Sequence, residues 1–151
     1  MSKKDIINRL KNTAKLETRE DVLHFDEALE RLAEIELSNL DIVELMMILD
    51  DDSPQEEVLF GLVHFLEGSV DFKTLIQALM KGTQKLVKKA PDWTQLFYIR
   101  LLKNQESRSI LKAMLVNEES QNYNLILELI RDISLNELPP LSDYGNFVIR
   151  Y

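Results

Sequence analysis

The chain has 151 residues, with 26 acids against 18 bases and a formal net charge of −8. It is 45% hydrophobic and 29% charged, with four glycines, four prolines and no cysteine. That is enough chain for one ordinary core, and it excludes disorder, a disulfide scaffold, a thiol nucleophile and a Cys-ligated zinc.

Apolar spacings of three and four run through the chain and predict helices throughout. Ser2 is placed to cap a first helix carrying Ile6, Ile7, Leu10 and Ala14 on one side. Thr18, with Asp21 three residues on, opens a second, whose stripe is Val22, Phe25, Leu29, Leu32 and Ala33. A short helix with Ile42, Leu45, Met46 and Leu49 inward ends at Asp50-Asp51-Asp52.

Ser53-Pro54-Gln55-Glu56 has the form of an N-cap, a proline at the first helical position and a capping-box acid. The helix it predicts carries Val58, Leu59, Leu62, Val63, Phe65 and Leu66 and stops at Gly68. Asp71 caps the next, with Val70 and Leu75 as a hydrophobic staple, and that helix stops near Gly82. A basic piece around Lys85, Lys88 and Lys89 leads to Ala90-Pro91-Asp92 and a helix ending at Asn104. Trp93 and Phe97 share its core face, and Tyr98 is expected to be the more exposed aromatic. Ser107–Val116 and Ser120–Ile133 read as two more helices.

Pro139-Pro140 halts helix formation, and the stretch through Tyr144, Phe147 and Tyr151 is expected to be irregular. The chain therefore reads as all-α: eight or nine short helices in one domain, 1–138, with an irregular C-terminal tail, 139–151, packed on it. Neighbouring helices look like stacked antiparallel hairpins, which leaves a solenoid-like stack and a compact bundle both open.

Charge is unevenly distributed. From Glu20 to Glu67 fifteen carboxylates face one base, Arg31, a net −14. Eight bases lie between Lys81 and Lys112, against Asp92 and Glu106. A folded segment as negative as the first repels nucleic acid and anionic lipid and attracts basic proteins. The basic stretch lacks a nucleic-acid motif, and contact with the chain's own acidic half, within one molecule or in a homodimer, accounts for it equally well. The N-terminus has no uninterrupted apolar run, so no signal peptide is expected. The strongest apolar stretch, Leu59–Leu66, is interrupted by His64 and falls far short of the ~20 residues that span a bilayer.

Catalytic signatures are missing: the chain contains no HExxH, paired CxxC, Walker A or GxSxG. Asp21 and His24 stand three apart, as in half of a carboxylate-bridged di-metal site, but the second unit such a site needs is not there. Asp50-Asp51-Asp52 with Glu56 and Glu57 lacks the spacing and central glycine of a calcium loop. Neither a metal nor a cofactor is expected.

Two segments resemble a known family. Glu56-Glu57-Val58-Leu59-Phe60-Gly61-Leu62-Val63-His64-Phe65-Leu66-Glu67 is similar to the helix of the immunity-protein-30 family that reads approximately E-V-M-F-G-L-V-H. Lys89-Ala90-Pro91-Asp92-Trp93, continuing through Arg100 and Asn104 to Glu106-Ser107-Arg108, resembles that family's A-P-x-W start, Arg-bearing helix and N-x-E-S-R turn. The resemblance covers roughly residues 20–135. It implies a helical, non-enzymatic, cytoplasmic protein of a bacterial polymorphic toxin or contact-dependent inhibition system, which binds and neutralises a cognate C-terminal toxin domain.

On this reading the partner is a basic toxin domain such as a nuclease, with no direct contact to nucleic acid or membrane. Asp50, Asp51, Asp52, Glu56, Glu57 and Tyr98 are the candidate docking residues. Two alternatives stay open from sequence: an acidic helical adaptor for another basic partner, and a carboxylate–metal helical enzyme using Asp21 and His24.

Overall fold

Capping residues set the first helix boundaries in a computed structural model that describes residues 2–118 and 120–150, the side chains of Ser120 and Gln121 excepted. Ser2, Thr18 and Ser38 each accept the backbone N–H of the acid three residues on, Asp5, Asp21 or Asp41. Each acid in turn accepts the capping residue's own N–H. These reciprocal boxes open α1 (Lys3–Thr13), α2 (Arg19–Leu32) and α3 (Asn39–Met46). Between α1 and α2, Leu16 adopts a left-handed φ of 51° with its side chain fully buried. Its burial offsets a backbone strain of roughly 1 kcal/mol.

The fourth boundary differs from the prediction. Helix α4 spans Glu56–Ser69 behind Gln55, with no side-chain cap. Ser53 does not cap it, because its hydroxyl accepts the N–H of Gln55 and closes a local turn first. Gly68 lies inside the helix, which ends one residue later. Asp71 caps α5 (Phe72–Lys89) through the Thr74 N–H, as expected.

Gly82 does not stop α5, and the basic Lys85–Lys89 piece forms its last turns. A glycine inside a helix costs ~1 kcal/mol relative to alanine. Here the cost is outweighed by the long buried stripe of Leu75, Ile76, Leu79, Thr83 and Leu86. Helix α6 (Pro91–Lys103) begins with proline at its first position, where a missing N–H is harmless. Asn104 ends α6 and also caps α7 (Gln105–Leu115) through the Ser107 N–H.

Helix α8 spans Ser120–Asn136 and stops short of Pro139-Pro140 as predicted. The tail is a correction, since Leu141–Ile149 form α9 instead of an irregular segment. Pro140 is the N-cap residue of that helix, its carbonyl accepting the Tyr144 N–H at 3.0 Å, and Leu141, Tyr144 and Val148 repeat at helical spacing toward the body. Tyr151, expected in the same segment, lies outside the described residues.

All nine elements among the described residues are α-helices. Helix α5 lies at the hub and touches α3, α4, α6, α7 and α8, while α9 closes over α6, α7 and α8. One helix serving five neighbours makes a compact bundle, not a solenoid in which each unit meets only the next. No helix among the described residues is long and apolar enough to cross a membrane.

Candidate functional site

The acidic segment is only partly a surface. Helix α3 ends at Met46, short of the expected Asp50-Asp51-Asp52. Asp50 and Asp51 are half-buried in the loop beyond it and reach across the fold to the start of α6. One Asp51 carboxylate oxygen accepts the Asp92 N–H at 2.9 Å and the other accepts the Trp93 N–H at 3.2 Å. Helix α6 has no cap of its own at Ala90, so Asp51 supplies one from 41 residues away. The carbonyl of Asp50 accepts the Trp93 indole N–H at 3.2 Å, and its carboxylate accepts the Asp52 N–H at 2.9 Å. Asp50 and Asp51 therefore pin a loop to a helix end. Asp52, Glu56 and Glu57 are exposed beside them.

Tyr98 overturns its expected exposure. It is fully buried, and its hydroxyl is 2.7 Å from that of Thr83, which donates in turn to the Leu79 carbonyl. Burial pushes its phenol well above the ordinary value, and the bond to Thr83 opposes this only in part. No atom of Tyr98 is presented to a partner, so it drops out of the docking set. Trp93 is buried as expected and meets Phe60 edge-to-face, with ring centroids 5.0 Å apart at 67°.

Around this junction lies a cleft of about 150 Å³ lined by Asp51, Glu56, Phe60, Asp92, Trp93 and Leu96. All three of its ionisable groups are carboxylates. Glu56 and Asp92 lie in the first turns of α4 and α6, so two helix N-termini converge there. Each contributes about +0.5 of a charge, which leaves the cleft near −2 overall. Sequence reasoning missed Phe60, Asp92 and Leu96 because nothing local says that α4 and α6 start side by side.

A second acidic surface runs along α2, where Leu23, 52% exposed, stands in line with Glu27, Glu30 and Glu34, and Arg31 sits among those acids. Other acids are engaged within the fold. Asp41 pairs with Lys3 at 2.7 Å, Glu44 with Lys11 at 3.5 Å, and Glu67 holds Arg100 through two bonds of 2.7 and 3.0 Å. Asp21 closes the α2 capping box, and the His24 ring lies 3.8 Å from Glu20. No group of three or more potential metal ligands occurs among the described residues.

Half of the cations of the basic segment are also engaged by the fold. Lys89 donates to the Met47 carbonyl, and Arg100 bridges to Glu67. Arg108 donates to the Leu102 carbonyl and lies 3.8 Å over the Tyr144 ring. Lys112 donates to the Phe147 carbonyl and lies 4.4 Å over that ring. The Arg100–Glu67 pair is the predicted contact between basic and acidic halves, made within one molecule.

Residues 12–111 match the family model described as Immunity protein 30. The match takes in the acidic segment, the cleft and the Glu67–Arg100 pair, and it ends within α7. No curated protein and no solved structure matches the chain.

Proposed function

Since the chain belongs to the immunity protein 30 family, we propose that it protects its bacterial host by binding a cognate toxin domain in a stoichiometric complex. The toxin is a basic domain, of the kind that holds nucleic acid, and the complex occludes its catalytic cleft or an adjacent face. The encounter takes place in the cytoplasm, where such a toxin meets its substrate. One observation carries this reading: most carboxylates of the Glu20–Glu67 segment, among them Asp26, Glu27, Glu30, Asp52, Glu56 and Glu57, are exposed, while half the cations of the basic segment are engaged in the fold. An outward negative field attracts a basic partner, and such steering raises association rates toward ~10⁸–10⁹ M⁻¹s⁻¹ at low salt.

Docking centres on the segment from Asp50 to Glu57, with Asp52, Glu56 and Glu57 as the contacting acids. Asp50 and Asp51 contribute by holding that segment against α6. Co-expression with the toxin domain encoded by the neighbouring gene tests the reading, with survival and one-to-one co-purification as the expected result. Reversing Asp52, Glu56 and Glu57 to lysine should weaken the complex and flatten its salt dependence. Unchanged affinity in that variant would remove this surface, and survival without a complex would remove direct inhibition.

A further inference from the structure

Resting on that reading, we infer that the cleft between the starts of α4 and α6 is a receptor for a single arginine side chain of the bound toxin domain. Its volume of about 150 Å³ is below that of ordinary ligand pockets, ~300–1,000 Å³, so it suits one side chain better than a substrate or cofactor. Phe60, Trp93 and Leu96 make the apolar half of its lining, and the carboxylates of Glu56 and Asp92, with Asp51, make the polar half. An occupant that complements both features is a cation on a long apolar stem.

The carboxylates do not converge as metal ligands would, since no group of three potential ligands occurs among the described residues. A spherical ion is therefore poorly served, whereas an extended cation can meet separate acids. Arginine fits better than lysine. Its guanidinium is planar, weakly hydrated and stacks on aromatic rings, and its donors fork toward more than one carboxylate. Asp51 is already committed to the α6 N–H groups, which leaves Glu56 and Asp92 to receive the fork.

The junction carries its own reporter, because Trp93 is the chain's single tryptophan. Titrating the purified protein with N-acetyl-arginine amide should shift the Trp93 emission and indole N–H resonance in a saturable way, at roughly millimolar concentration. The uncharged citrulline analogue and a Glu56→Gln/Asp92→Asn variant should abolish that response. A response shared equally by citrulline, or kept in the variant, would overturn the assignment.

The complex supplies the decisive measurement. Against the co-expressed toxin domain the double variant should lose about 10- to 100-fold in affinity. One toxin arginine, changed to alanine, should then cost affinity in the wild-type background and little in the variant, the coupling expected of a contacting pair. A wild-type chain that fails to hold the toxin sinks the functional reading and this inference with it. Wild-type and variant chains that hold it equally well overturn the cleft alone. Circular-dichroism melting of the variant, with its cap at Asp51 intact, keeps misfolding apart from lost binding. A wild-type dimer that the variant dissociates would assign the cleft to a second copy of the chain and overturn the proposal.

Discussion

Asp51 caps a helix to which it does not belong, because its carboxylate accepts the N–H groups of Asp92 and Trp93 across the fold. A run of three aspartates looks like a docking patch, yet its middle member is an internal tie. Asp51→Ala should destabilise the protein by about 1–2 kcal/mol, the usual cost of losing a helix cap. Asp52→Ala, at an exposed position, should stay within about 0.5 kcal/mol. Urea unfolding of the two variants side by side checks the contrast.

Tyr98→Phe removes the bond to Thr83 but leaves the Thr83 hydroxyl bonded to the Leu79 carbonyl. The expected cost is about 0.5–1.5 kcal/mol, with no change in toxin affinity. The folded state holds the Tyr98 proton more tightly than the unfolded chain does. Its contribution is therefore complete below the ordinary phenol value of 10.0 and is lost as pH rises beyond it. In an alkaline titration one tyrosine should resist ionisation until unfolding, and Tyr98→Phe should delete that late step.

Gly145 lets α9 approach α8. A Cβ there would stand 2.1 Å from the Ser134 hydroxyl oxygen and 3.3 Å from its Cβ. Gly145→Ala should therefore cost about 1–2 kcal/mol despite the better helix propensity of alanine. Adding Ser134→Ala removes the worst clash and should restore part of the loss. Thermal melts of the single and double variants measure this coupling.

Acid should weaken the fold through its capping aspartates. At Asp41 burial alone would raise the carboxyl pKa, but bonds from Lys3 and Ser38 outweigh it and hold it below 3.8. Asp5 and Asp71 are lowered mainly by their bonds with Ser2 and Thr74. A depressed folded-state pKa stabilises above the unfolded value and is lost as pH falls through the folded one. Stability should thus be flat above about pH 5 and drop below about pH 4. Asp41→Asn should shallow that drop in equilibrium unfolding at stepped pH.

Local chemistry was the legible part of this molecule. Thr18 with Asp21, Asp71, and the apolar stripe of α2 act within a few residues, so their spacing states the outcome. Ser53 shows the limit, because its hydroxyl had two backbone N–H groups to choose between and closed the nearer turn. Gly82 misleads for a related reason: it is read as a helix stop, but tertiary packing carries α5 through it. The cleft was illegible because Phe60 and Trp93 meet only once α4 and α6 are placed. Tyr98 failed as an anchor because its hydroxyl found a buried partner, Thr83, on a different helix.

The bonds that Lys89, Arg100, Arg108 and Lys112 make to other helices separate holding the scaffold together from meeting a partner. Because these cations fasten helices together, the exposed acids of α2 and of the α4 start can be exchanged without loosening the scaffold. Specificity toward a new adversary can then drift on the outside of the molecule while its framework stays as it is.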